Sequence, residues 1–182
     1  MAYSPVEARL GGPTTFAQID STATYTSNSS TAAANNWFPV GTIMRGVDPT
    51  LGGGEFIYLP GVASNAVGAV VTYNASTFVV TLMAAALKNS VNPLAVSMSA
   101  NTSTTNFSWY QIEGLAVVLK TAVQVLPQVP IFSSATAGRV KVLASAGQQV
   151  LGARTANLTT VTSTTSTITV LISRPFGQGQ IT

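Results

Sequence analysis

Gly54-Glu-Phe-Ile-Tyr-Leu-Pro-Gly-Val-Ala-Ser-Asn-Ala-Val-Gly-Ala-Val-Val-Thr-Tyr-Asn74 holds two short β-type runs, Glu55–Leu59 and Ala69–Tyr73. Both are rich in aromatic and β-branched side chains, the types that fit a pleated, half-buried surface. Pro60-Gly61 ends the first run and Gly68 opens the second. The small and turn-forming residues between them let the chain fold back without burying unpaired backbone groups. Pro60–Val67 is long for a tight hairpin, so the two strands are expected as neighbours that need not pair. Glu55 is the one residue of the stretch with reactive chemistry, and it is expected as an exposed or strand-start acid. A β scaffold with little reactive chemistry recurs along the whole chain.

Upstream, Trp37-Phe38-Pro39-Val40 begins the compact body and Thr42–Val47 reads as a strand. Asp48-Pro49 and Gly52-Gly53-Gly54 are expected as turn residues. The three glycines do not make a phosphate loop, since no Lys-Ser/Thr follows and the next element reads as a strand.

Downstream, Thr77–Leu82, Leu94–Ser99, Phe107–Ile112 and Leu115–Leu119 read as strands, with Met83–Leu87 as one Ala-rich helical turn. In Phe107–Ile112 the period of two puts Phe107, Trp109 and Gln111 on one face. Glu113-Gly114 is expected as a turn. An aromatic pair such as Trp109 and Tyr110 can stack sugars or bases; the plainer reading is packing in a core. Pro127 and Pro130 mark a joint between two β subdivisions of one domain, or an edge crossing. Val129–Phe132, Arg139–Leu143, Gln149–Ala153 and Ile168–Ser173 follow as short strands. Asn157–Thr169 holds seven Thr and two Ser in 13 residues and reads either as a long edge strand or as a surface loop. Ile168–Ile172 is uncharged and strongly β-forming, so it is expected to be covered. About ten short strands at roughly 8–15-residue spacing predict an all-β chain, a compact β-sandwich or β-barrel.

Residues 1–36 are a different kind of sequence. Ser21–Asn36 consists of four Ser, four Thr, four Ala, three Asn and one Tyr, with no period and no charge. Alone, such a segment buries too little apolar area to offset its ordering entropy. It reads as an N-terminal arm, extended or ordered only against a partner, with Val6, Leu10, Phe16, Ile19 and Tyr25 as its anchors; a disordered tail is the alternative. The expected organisation is an arm over 1–36, a β-rich body over 37–176 with a possible subdivision near 127–130, and a tail over 177–182.

Charged residues make up 7% of the 182, against about 25% in a typical soluble domain. The surface is then built mainly from neutral polar groups, which suits association more than solubility. The charge is uneven. Arg9 and Arg45 face Glu7, Asp20, Asp48 and Glu55 in the first part, whereas six cations from Lys88 onward face Glu113 alone. Those cations are scattered and lack interleaved aromatics, which argues against direct nucleic-acid binding. The N-terminus shows no signal-peptide pattern, and Pro60, Gly61, Ser64, Asn65, Asn74 and Ser76 break the uncharged run after Glu55, so no membrane span is expected.

The chain has no Cys and no His. That removes disulfides, a Cys nucleophile, the usual zinc sites and any Ser-His-Asp triad. Five carboxylates remain. Asp48 and Glu55 flank one turn, but a glycosidase needs two acids about 5–10 Å apart across a cleft, and turns ordinarily carry solvated acids. Asp20-Ser21-Thr22 lacks the glycine of an aspartic dyad and has no second copy. The acids are too dispersed for a calcium loop. No catalytic, cofactor-binding or metal-ligating residue is expected, and no cofactor.

The body resembles a family of tailed-bacteriophage head decoration, or capsid cement, proteins. The resemblance is carried by Gly54–Ser64, Val70–Asn74, Leu94–Ala100, Trp109–Gly114, Gly152–Arg154 and Val170–Pro175. It implies a compact β-rich module, commonly trimeric, on the outer surface of the virion capsid, where it bridges adjacent subunits of the major capsid protein. These strings are structural and fix no capsid contact. The alternatives are a virion fibre or receptor-binding module, or a β-rich surface adhesin, with loops such as Asn101–Asn106 against glycans.

Overall fold

The computed structural model describes residues 4–5, 25–26 and 38–180. It is all-β, with ten body strands in one curled antiparallel sheet that closes halfway to a barrel. The body strands are β3 (Ile43–Asp48), β4 (Gly52–Pro60), β5 (Val70–Tyr73), β6 (Val80–Leu82), β7 (Leu94–Ser97), β8 (Asn106–Leu119), β9 (Pro130–Ser133), β10 (Val140–Lys141), β11 (Gln149–Thr155) and β12 (Thr167–Gly177). Two dipeptides from the N-terminal segment join them as β1 (Ser4–Pro5) and β2 (Tyr25–Thr26). The main order is β1-β3-β4-β8-β12-β11-β9-β10, with β7 on β8, β5 on β7 and β6 on β5.

β8 is the spine. Along one edge it pairs with β4, from Gly54–Gly114 to Pro60–Phe107. Along the other it takes β2 at Asn106–Phe107, β7 at Tyr110–Gln111 and β12 from Glu113 to Leu119. The expected strands Phe107–Ile112 and Leu115–Leu119 are thus one strand. The Glu113-Gly114 turn does not form, because Gly114, at a φ of 98°, carries the chain through a kink without leaving the sheet. Gln111 spans the kink, its Nε2 donating to the carbonyls of Glu113 (3.0 Å) and Leu115 (2.9 Å). A Cβ on Gly114 would sit 2.3 Å from the Gly53 carbonyl oxygen, so glycine is required there.

The three-glycine turn also shifts. Pro49–Leu51 turns the chain while Gly52, Gly53 and Gly54 already pair with Asp48, Val47 and Gly46. Asp48 is buried and its Oδ1 accepts the amide hydrogens of Thr50 and Leu51, the local turn bond of an Asx side chain. β4 and β5 do not pair with each other.

β4 and the first half of β8 are covered on both faces, so their alternation separates two cores, not core from solvent. Phe56, Tyr58, Phe107 and Trp109 meet Met44 and Met98 on one side. Ile57, Leu59, Tyr110 and Ile112 meet Val71, Val80 and Ala95 on the other. Trp109 lies 5.1 Å from Tyr58 and 5.2 Å from Phe38, ring centroid to centroid, and each such pair adds about 0.5–1.5 kcal/mol beyond burial. A third core gathers Ala116 and Val118 of β8, Ile168, Val170 and Ile172 of β12, and Val125, Ile131, Val140 and Val150.

Met83–Leu87 contains a single 3₁₀ turn, Ala85–Leu87. Residues 157–166 run as loop, and only Thr167 onward joins β12. β12 is covered on one face: Ile168, Val170 and Ile172 point inward while Thr169 and Leu171 are half-buried. It extends one residue into the expected tail, Gly177 pairing with Val150.

Candidate functional site

The most organised polar site is built where β3, β4, β8 and β12 lie side by side. Register places Arg45 opposite Glu55, Glu55 opposite Glu113, and Glu113 opposite Ser173. Two carboxylates directly opposite each other repel. Arg174 resolves the repulsion from the far strand, its Nη2 lying 2.5 Å from Glu55 Oε2 and its Nε 3.9 Å from Glu113 Oε2. Arg45 Nε closes the other side at 2.9 Å from Glu55 Oε1. The hydrogen bond from Arg45, followed by that from Arg174, holds the Glu55 carboxyl below its ordinary value of 4.5 against the opposing effect of burial.

Glu55 is therefore neither exposed nor at a strand start. It is the fourth of nine residues in β4, and its side chain is 12% exposed, while those of Arg45 and Arg174 are 70% and 60% exposed. Pairs with such open partners are worth about 0–1 kcal/mol each. Beside the cluster runs a groove of about 310 Å³ lined by Arg45, Val47, Glu55, Glu113 and the bare backbone of Gly46, Gly53, Gly54 and Gly114. β1 sits at its rim, Ser4 opposite Val47 and Pro5 opposite Gly46.

Two further charged groups have local duties. Lys120 is 1% exposed, and its Nζ donates to the carbonyls of Val123 (2.9 Å) and Thr121 (3.3 Å); burial lowers its pKa. Arg139 Nη1 donates to the Lys120 carbonyl. Asn65, Ser97, Ser99 and Tyr110 form a buried polar network, in which the Tyr110 hydroxyl donates to the Pro60 carbonyl and is pushed up to about 12 by burial. Among the described residues no group of three or more His, Cys, Asp or Glu side chains could hold a metal ion. No helix among them is long and apolar enough to cross a membrane.

Of the five arm anchors, Val6, Leu10, Phe16 and Ile19 lie outside the described residues, and Tyr25 stands in β2 opposite Phe107. Two dipeptides of the expected arm thus pair with the body of their own chain. Trp109 and Tyr110 are both fully buried, on opposite faces of β8, so neither is placed to stack a ligand. Asp48 and Glu55 go to separate partners, the turn amides and the arginines. The hairpin symmetry about residue 50 carries a sequence signal for the Arg45–Glu55 pair. No local signal marks Arg174, which reaches Glu55 over a separation of 119 residues.

No protein-family model matches the chain, and no curated protein matches it.

Proposed function

We propose that the chain is a non-enzymatic structural protein of the virion that decorates the outer capsid surface and cements adjacent major capsid subunits. The observation that carries this reading is how the body disposes of its charge. Arg45, Glu55, Glu113 and Arg174 neutralise one another, Asp48 is spent on a turn and Lys120 is buried. What else faces outward is neutral polar surface with lone cations such as Lys88 and Arg154 and isolated apolar side chains, among them Leu158 at 97%, Val91 at 68% and Leu143 at 63% exposure. A surface of that kind gains more from contact with neighbours than from water.

The body also accepts short extended segments on strand edges, as β1 on β3 and β2 on β8 do, the mode by which one chain augments the sheet of another. In a homotrimer, several modest contacts would act together through effective concentration. A protein that binds only the assembled shell raises the threshold for its opening.

Copy number and position on purified particles test the proposal. One copy per major capsid subunit, spread over the head, is the expected result. A few copies at a single vertex would instead favour the fibre or receptor-binding reading and overturn cementing.

A further inference from the structure

The two ends of the curled sheet meet along a seam, with β5 and the segment after β6 on one side and residues 133–148 on the other. Backbone hydrogen bonds cross it. The amide of Val70 donates to the Gly138 carbonyl (2.9 Å), that of Ala85 to Ser134 (2.8 Å) and that of Asn89 to Gly147 (2.9 Å). A cavity lies at this seam, and its walls include Thr72 of β5, Leu94 of β7, Ser133 of β9, Gln148 just before β11 and Val150 within it.

Thr72 stands two residues after Val70 on β5, so its side chain points the same way, toward the third core. The residue is 5% exposed, and its hydroxyl has no hydrogen-bond partner. The side-chain carbonyl of Gln148 is likewise buried and unpartnered. An unpaired buried polar group bears the full cost of leaving water, and native folds pair nearly all such groups with protein or with ordered water. Two of them on residues that line one cavity point to a partner that is not protein.

The cavity sets the size and chemistry of that partner. It leaves about 20 Å³ for the centre of a water-sized sphere, and about 10–15 Å³ suffices for one water molecule. Among the described residues no charged side chain lines it, so an ion would lie there without a counter-charge. Water both donates and accepts, so it serves the Thr72 hydroxyl and either orientation of the Gln148 amide. We propose that this cavity is a binding site for one water molecule, which joins Thr72 to Gln148 and so spans the seam of the curled sheet. The site stands independently of the capsid reading.

Magnetic relaxation dispersion of water oxygen-17, measured on the full chain, counts the water molecules held inside it. Wild type should exceed Thr72→Val by one such molecule, because valine keeps the shape of threonine and lacks its hydroxyl. Thr72→Ser retains the hydroxyl and should retain the water. Gln148→Met removes the other partner and should lose the water; this variant decides alone if Thr72→Val does not fold. Thermal midpoints give a second readout. With the water bound, Thr72→Val breaks a satisfied bridge and should melt about 2–4 °C below wild type. In a dry cavity the same change would remove an unpaired hydroxyl and raise the midpoint. Equal dispersion in wild type and the folded variants would overturn the proposal, and so would a raised midpoint for Thr72→Val.

Discussion

Gly114 shows how one residue sets the geometry around it. Its φ of 98° belongs to glycine, and an added methyl group would collide with the Gly53 carbonyl oxygen. Gly114→Ala should therefore cost at least about 3 kcal/mol, from left-handed strain together with forced separation of β4 and β8. Equilibrium denaturation measures this, and a loss under about 1 kcal/mol would mean that the two strands can part without penalty. The position was visible in the sequence as a glycine after Glu113, but its job was not. A Glu-Gly pair between two apolar runs has the pattern of a turn, and only the pairing of both runs to β12 and β4 shows that the chain goes straight on. Glu55 was hidden for a related reason. It is held by Arg174, and no local spacing reports a contact made across three neighbouring strands.

At the scale of elements, β8 carries most of the fold's order because four strands take their register from it. Most strands were legible, since period-two alternation, proline and glycine mark where β runs begin and end. Which side they bury was legible only where one face meets solvent, as in β3, where Ile43, Arg45 and Val47 alternate with buried Met44, Gly46 and Asp48. In β8 the same alternation separates two cores, because the sheet curls over both faces of its first half. Trp109→Ala would open a void in the aromatic core and should cost about 3–5 kcal/mol. Leu158→Ala, at a side chain 97% exposed, should stay within about 0.5 kcal/mol of wild type. Thermal melts of the two variants provide the check: similar shifts for both would show that Trp109 is not part of a continuous core.

For the molecule as a whole, the question is what residues 1–36 contribute. The three cores draw on buried residues from Met44 onward, with Phe38 and Val40 packed against them. The described ties from the N-terminal segment are the register pairs of β1 and β2, and a backbone hydrogen bond is worth about 0.5–1.5 kcal/mol net. The body should therefore fold without this segment. A chain lacking residues 1–36 should still melt cooperatively, with a lowered midpoint. Under the capsid reading the same deletion should weaken binding to decorated shells at least about tenfold, since each lost anchor removes area that only binding would have ordered. Shells carrying the truncated protein should then open at a lower temperature than shells carrying the full chain. Sedimentation of truncated protein with stripped capsids separates the two roles. Full binding by a folded, truncated body would place the capsid contact in the curled sheet itself and leave the arm without its proposed part.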